Sequence, residues 1–350
     1  MMDLSRHKSQ GGFTLIEFMI ASLLAMGILA ATFTVMNNLF VANTSVQQML
    51  GAQQNLRVGM NAITRDITMT GTGLPDSGIP IPNGTPSTQL VRPGLGVACG
   101  ANTTGCLPTP NNVIAIVTPG DGVGPTAAGV QTDALTIAMV DQTSPTWVVS
   151  SITSGGTVVN FTQNVRDAGT TQLFIKDLLL FNNANGSAFG CVTTVVSTTS
   201  GQAQFFLGDV LNINQPNAQY GNMTQTLRNP GSSPVTYPPT TATRVMLITY
   251  FLDNTSPQNP KLMRSVNANT PQVMVEGIEN LQFSFDLFNY TNNTETSNVP
   301  TTSNPNQIRS VRVALSGHSP DKLKRTNDYA HFNLVSKINV RNATFRNRYQ

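Results

Sequence analysis

The chain has 350 residues, and only 11% of them are Asp, Glu, Lys or Arg, against about 25% in typical soluble domains. The formal net charge of +3, with no run of Lys or Arg, argues against a nucleic-acid partner. Thr, Asn, Ser, Gly and Pro replace the charged residues, and such side chains favour turns and exposed strand faces, which predicts an extracytoplasmic, β-rich domain.

The N-terminus combines a short polar leader with a long apolar segment. Residues 1–12 carry Arg6 and Lys8, and residues 13–36 contain a single charge, Glu17. At about 1.5 Å per residue these 24 residues would form a helix about 36 Å long, which exceeds a hydrocarbon core of roughly 30 Å. The segment is therefore predicted to span a membrane.

The position of the basic residues predicts topology and processing. They precede the apolar segment, and the next one is Arg57, so the N-terminus should stay in the cytoplasm while the rest is exported. A secretory signal is cut after its apolar stretch, whereas here the candidate cleavage point, after Gly12, precedes that stretch. The segment 13–36 would then remain in the mature chain.

Glu17 is a carboxylate near one end of the spanning segment, where it is costly in lipid and needs a partner. Cleavage after Gly12 would create an α-amino group at Phe13, which is too near for easy pairing within one helix. The amine of a neighbouring subunit could neutralise Glu17 instead. The alternative is a carboxylate that extends to the membrane interface.

Residues 12–17, Gly-Phe-Thr-Leu-Ile-Glu, resemble the class III signal of type IV prepilins and type II secretion pseudopilins. This resemblance implies cleavage of the Gly12–Phe13 bond by a prepilin peptidase and N-methylation of Phe13. It also implies that Glu17 acts as the acidic fifth residue of the mature chain, and that the partners are the N-terminal helices of other pilins or pseudopilins.

The helix is predicted to continue through residues 37–73. Its apolar side chains lie on one face, with the last four spaced by four, three and four residues: Leu56, Met60, Ile63 and Ile67. The whole element would be roughly 87 Å long. Gly51 and Gly59 weaken it, so the alternative is a spanning helix, a break and a separate amphipathic helix.

Residues 74–350 are predicted to form an exported β-rich domain, with loop-rich stretches at residues 74–129 and 214–242. Strands are expected at residues 113–118, 134–140, 146–151, 157–161, 173–181, 191–196 and 204–213, and a hairpin at residues 244–252 and 261–266.

Two later segments alternate apolar and polar residues. Residues 281–287 and 311–315 each predict a strand with one buried and one wet face, as in an antiparallel sheet covered on one side. The apolar stripe of the long helix is the natural cover. The predicted fold is therefore α+β and pilin-like: a long N-terminal helix packed on an antiparallel sheet domain with a loop-rich insertion.

The later segments extend the resemblance. Residues 54–67, 275–283 and 336–342 are similar to segments of PilW-type minor pilins, and GspJ-type pseudopilins share the same general plan. Residues 85–240 match no pattern of these families. They are interpreted as a variable insertion, where any special binding property is expected to lie.

Three cysteines are present. Cys99 and Cys106 are close in sequence and could form a disulfide in an oxidising compartment, which would leave Cys191 unpaired; the alternative is three free thiols. No nearby histidine completes a zinc ligand set.

Catalytic motifs are missing from the sequence, which contains no nucleophile elbow, metalloprotease motif or phosphate-binding glycine loop. His318 is interpreted as a solvated turn residue. We therefore expect a non-enzymatic protein without cofactor, metal or small-molecule ligand. The resemblance implies a single-pass inner-membrane protein that enters a type IV pilus as an initiating, priming or tip subunit. The alternatives are a GspJ-like secretion pseudopilin, or a pilus-borne adhesin whose ligand binds within residues 85–240.

Overall fold

The computed structural model describes residues 12–75, 78–82, 90–96, 99, 105–109, 112–153, 155–167, 169, 171–196, 201–214 and 222–344. It has an α+β fold, in which a long N-terminal helix packs on a large antiparallel β domain. The helices are α1 (Leu15–Met69), α2 (Met223–Leu227) and α3 (Arg341–Thr344).

The strands fall into two groups along the chain. The first twelve are β1 (Ile79–Pro80), β2 (Val113–Ile114), β3 (Val117–Gly120), β4 (Thr126–Ala127), β5 (Val130–Gln131), β6 (Ala134–Val140), β7 (Trp147–Ile152), β8 (Val158–Phe161), β9 (Leu178–Asn183), β10 (Gly186–Cys191), β11 (Thr194–Val195) and β12 (Gln202–Gln204). After α2 come β13 (Thr240–Asp253), β14 (Lys261–Val266), β15 (Gln272–Glu276), β16 (Ile278–Asn289), β17 (Thr294–Val299), β18 (Ile308–His318) and β19 (His331–Asn339).

Helix α1 is one continuous helix of 55 residues, so the alternative of two helices separated by a break is wrong. It ends where Gly71 and Gly73 adopt positive φ angles. The helix continues through Gly59, and the missing side chain at this position allows a close approach to the sheet. A Cβ atom at Gly59 would lie 3.1 Å from Cδ2 of Leu262 and 3.3 Å from Cγ2 of Val275.

The main core lies between α1 and both large sheets of the domain, one of which has four strands in the order β17-β16-β18-β19. The alternating residues predicted to face inward are buried there, including Leu281, Phe283 and Phe285 of β16. The apolar stripe of α1 covers them, and its four residues Leu56, Met60, Ile63 and Ile67 belong to the same buried cluster. The predicted pairing of the helix with one face of an antiparallel sheet is confirmed.

Strand β13 is the spine of a second, larger sheet. Its C-terminal half pairs with β6 on one side and β14 on the other, and its N-terminal half pairs with β7 and β9. The predicted hairpin is therefore present, with its first strand extended back to Thr240. Strands β3 and β6 fall within residues 85–240, yet they pair with each other and β6 pairs with β13, so this part of the region is built into the sheet.

The N-terminal half of β13 also belongs to a closed barrel. Strand β10 runs into β11 through Val192 and Thr193, whose amides donate to Asp177 O (2.8 Å) and Gln204 O (2.9 Å) on opposite sides. The chain therefore joins the two ends of the strand order β10-β9-β13-β7-β8-β12-β11. With β10 and β11 counted as one continuous strand, six strands close on themselves. The interior is filled by side chains that include Trp147, Phe161, Phe181, Phe205 and two residues of α2, Met223 and Leu227.

The barrel lies beyond the C-terminal end of α1. Successive contacts of the helix with the sheet follow β13 from its C-terminal end towards its N-terminal end. Gly59 lies beside Leu262, which pairs with Leu252 of β13, and Asp66 contacts Tyr250 of β13. Further along, Gly71 contacts Ala138 and Thr72 contacts Val140, which pair with Leu247 and Val245 of β13. The remaining residues of β13, which build the barrel, extend past the helix. The barrel and the apolar N-terminal half of α1 are thus at opposite ends of the molecule.

Three sequence expectations are wrong. Residues 173–177 form a loop before β9, because the Asp177 carboxylate accepts the amide of Phe174 at 2.8 Å and closes a turn. Most of residues 204–213 is also a loop, since the Asp209 carboxylate accepts the amides of Leu211, Ile213 and Asn214. His318 is not a solvated turn residue, because it is the last residue of β18 and is buried. Its ring centroid lies 4.5 Å from the ring centroid of Tyr329.

Candidate functional site: the N-terminal helix

The N-terminal half of α1 is apolar and has no cover. Phe13 is 87% exposed, and the large side chains that follow it, up to Phe40, are exposed as well. By length and composition α1 is the one candidate membrane span among the described residues, and none of its most apolar 18-residue window is buried in the chain. This surface requires lipid or other apolar helices, because in water it would carry a large hydrophobic cost.

The predicted processing residues lie together at the start of this helix. Gly12 and Phe13 precede the helix and are exposed, so the bond between them is outside regular structure. Among the described residues, no heavy atom lies within 4 Å of a Cβ atom built at Gly12.

Glu17 has a local role that the sequence reasoning missed. Its Oε2 atom accepts hydrogen bonds from the backbone N–H and the hydroxyl of Thr14, both at 2.9 Å, and Thr14 Oγ1 accepts the Glu17 amide at 3.4 Å. This reciprocal arrangement is a capping box, and its sequence signal, Thr-x-x-Glu before an apolar run, is visible at residues 14–17. Glu17 remains exposed, so its carboxylate can still accept a donor from another molecule.

The C-terminal half of α1 is locked to the domain by a buried carboxylate. Asp66 Oδ2 accepts the Tyr250 hydroxyl at 2.7 Å and the Arg264 Nε–H at 2.8 Å, and Asp66 itself is only 4% exposed. Burial and the adjacent Asp66 charge raise the pKa of Tyr250, which keeps its hydroxyl protonated as a donor. Neither partner was expected from the sequence, although an acid between Ile63 and Ile67 in the apolar stripe marks Asp66 as unusual.

Two further contacts lie at the two ends of the part of α1 that packs on the β domain. The Asn342 side-chain amide donates to Thr70 O and to Thr72 Oγ1, both at 2.8 Å, just after the last turn of α1. At the other end, Gln48 Nε2 donates to Asp321 Oδ2 at 3.4 Å. The direction of the uncovered half of α1 is therefore fixed relative to the β domain.

The three cysteines are in two states among the described residues. Cys99 and Cys106 are joined by a disulfide, and Cys191 is a buried free thiol whose pKa is raised by desolvation. Within the described ranges, no group of three or more His, Cys, Asp or Glu side chains is placed to hold a metal ion.

Comparison with models of protein families, with curated proteins and with solved structures found no match to this chain.

Proposed function

We propose that this protein is a minor pilin or pseudopilin, which acts without catalysis by inserting its N-terminal helix into a type IV pilus or a related filament. The observation that carries the proposal is the division of α1. One half is buried against the domain, while the other half presents an uncovered apolar surface with a single acid, Glu17, near its tip. The resemblance of residues 12–17 to the prepilin signal supports the same function.

The mechanism follows from what the apolar half requires. In the membrane, lipid covers it. After a prepilin peptidase removes residues 1–12, the helix can leave lipid only if other apolar helices replace the lipid contacts, which a filament core provides. Glu17 then accepts a terminal amine from a neighbouring subunit, and this charge pair fixes the axial register, because burying an unpaired carboxylate in an apolar core is costly.

The size and shape of the domain favour a low-copy role. The barrel adds a second folded body beyond the far end of α1, which a tightly repeating fibre would have to accommodate at every subunit. A subunit at the tip, or one that starts assembly, avoids this crowding. We therefore propose an initiating or priming position rather than that of the major repeating subunit.

The role of Glu17 is tested by separating its charge from its capping function. Glu17→Gln keeps a residue that can form a capping box but removes the charge, and Thr14→Ala removes the cap but keeps the charge. We expect Glu17→Gln to insert into the membrane normally and to lose most assembly, measured by co-purification with partner pilins from crosslinked cells. Thr14→Ala should assemble nearly as well as the parent. Equal loss in both variants would show that the cap, not charge pairing, matters.

Processing is tested at Gly12. We expect Gly12→Leu to accumulate as a precursor that is heavier by the mass of residues 1–12, because a branched side chain blocks approach to the peptide backbone. Intact-mass spectrometry of the membrane fraction measures this directly, with Gly27→Leu inside the helix as the control. A Gly12→Leu chain that matures normally would contradict cleavage at this bond.

A further inference from the structure

A groove of about 760 Å³ lies on the face of the large sheet that is turned away from α1. Its floor contains Phe251 of β13 and Met263 of β14, which are directly opposed across the two strands. Neighbouring residues Leu252 and Leu262 belong to the core under the helix. Because successive side chains in a strand point to opposite faces, Phe251 and Met263 must face the other way.

One wall of the groove is a segment pinned to the sheet, residues 90–96. Gly94 passes directly over the floor with a φ of +84°, and a Cβ atom there would lie 2.6 Å from both Phe251 Cε1 and Ser265 Cβ. Only glycine fits this close approach and this backbone conformation. The neighbouring residue Leu95 lines the groove.

Arg92 anchors this wall from beneath. It is 2% exposed, and its guanidinium donates to Pro119 O at 2.7 Å, Thr118 O at 3.2 Å and Thr136 Oγ1 at 2.8 Å. Burial lowers the pKa of Arg92 to about 10, which leaves it charged at neutral pH. The positive charge is thus used within the fold and does not line the groove.

A disulfide-bonded segment supports the same wall. The Leu107 amide donates to Leu90 O at 2.9 Å, next to the Cys99–Cys106 disulfide. The wall is therefore tied to the sheet by a buried cation at one point and to a crosslinked segment at another. A site held in this way is formed before its ligand arrives, which reduces the ordering cost of binding.

The polar side chains that line the groove are those of Asp253, Asn254, Thr255 and Thr270. Asp253 is the one charged residue among the described residues that line it, and its carboxylate is oriented by the amide of Thr255 at 2.9 Å. Asn254 also lines it; its Nδ2 donates to Thr126 O at 2.7 Å, whereas its buried Oδ1 has no partner among the described residues. An acid beside an apolar floor suits a cationic ligand that also carries an apolar group.

The groove also borders a free strand edge. Thr270 and Pro271 line it just before β15, and in the described part of the chain β15 pairs with β14 alone. An edge strand offers unpaired backbone groups to an extended chain, while an adjacent pocket accepts alternate side chains. This combination favours an extended peptide over a compact small molecule.

We propose that this groove binds an extended peptide segment in which an apolar side chain neighbours a lysine or arginine. The apolar side chain rests on Phe251 and Met263, and the cation pairs with Asp253. Because the groove faces away from α1, it stays accessible when the helix is packed among other helices. The site includes residues 94, 95 and 123–125, within the region of unmatched sequence, and combines them with β13 and β14.

The test uses the full chain in lipid nanodiscs, so that α1 is covered. The probe is a fluorescein-labelled, terminally blocked peptide, Val-Lys-Phe-Lys-Val, and its matched control is Val-Glu-Phe-Glu-Val; fluorescence anisotropy measures the dissociation constant. We expect binding of the lysine peptide at least tenfold tighter than that of the glutamate peptide. Equal affinity for both peptides, or no binding of either at millimolar concentration, would overturn the proposal.

Two variants locate the site. Asp253→Asn can keep the turn at Thr255, since Asn side chains also accept backbone amides, so the fold should survive. We expect at least tenfold weaker binding of the lysine peptide, with Glu295→Gln, an exposed acid on β17, unchanged as the control. An unaltered dissociation constant in Asp253→Asn refutes the site. These measurements do not depend on filament assembly, so their failure would leave the proposed function untouched.

Discussion

The two halves of α1 share one uninterrupted helix but differ in what covers them. In the C-terminal half, Leu56, Ile63 and Ile67 are at most 3% exposed, because side chains of both large sheets cover that face. In the N-terminal half, Leu23 is 73% exposed and Phe33 78%. Both halves have apolar side chains in quantity, so burial within the chain is decided by the domain. Within the described part of the chain, the domain covers the second half of the helix and leaves the first half exposed.

Each half of the helix contains one acid, and the two acids differ in the same way as the halves do. Asp66 is buried and engaged by Tyr250 and Arg264, whereas Glu17 is exposed and, among the described residues, accepts hydrogen bonds from Thr14 alone. One carboxylate is thus satisfied within the fold, and the other retains capacity to accept a cation. The helix is held by the domain at one end and is exposed at the other.

The largest expected effect comes from breaking the locked half. Asp66→Ala leaves the Arg264 cation and the Tyr250 hydroxyl without their acceptor in a largely buried place, which should destabilise the domain by about 3–5 kcal/mol. Urea unfolding of the full chain in detergent micelles, followed by near-ultraviolet circular dichroism, measures this. Arg65→Ala is the matched control, since Arg65 contacts the same carboxylate but its side chain is 69% exposed, and it should cost less than about 1 kcal/mol. A loss below 1 kcal/mol for Asp66→Ala would refute the lock.

A second pair of variants compares the two halves directly. Ile63→Ala opens a cavity in the core and should lower the free energy of unfolding by about 2–5 kcal/mol. Leu24→Ala, in the uncovered half, should leave that free energy unchanged in detergent, because its side chain is 60% exposed. We expect the opposite order for incorporation into filaments, where Leu24→Ala acts on the surface that meets partners. A destabilised domain in Leu24→Ala would contradict the division of the helix.

The helix and its partner sheet could be predicted because their signals are local. The predicted helix, residues 13–73, differs from the observed Leu15–Met69 by a few residues at each end, since the apolar run, the stripe and the terminating glycines are read within short windows. The alternation in residues 281–287 and 311–315 likewise identified strands and their buried faces.

The contacts that organise the molecule could not be predicted, because they join distant residues. Asp66 lies 184 residues from Tyr250 and 198 from Arg264, and a single sequence carries no signal for such pairs. Closure of the barrel depends in the same way on which strands pair. The strand expected at residues 204–213 was wrong because apolar residues surround Asp209, whose carboxylate turns the chain through hydrogen bonds that composition does not reveal.

The smallest expected effect is at the boundary where α1 ends. The last carbonyls of a helix lack intrahelical donors, and Asn342, from the C-terminal segment, donates to Thr70 O. Asn342→Ala should therefore cost about 1 kcal/mol and act locally. Hydrogen exchange at Thr70 and Thr72 should accelerate, whereas exchange at Leu56 in the same helix should not change. Thr72→Ala keeps the bond from Asn342 to Thr70 O and serves as the comparison; it removes the second acceptor of Asn342 and the hydrogen bond from the Thr72 hydroxyl to Met69 O. Equal acceleration along the whole helix would mean that Asn342 stabilises the whole domain. Acceleration limited to Thr70 and Thr72 would show that the C-terminal segment stabilises only the C-terminal end of α1.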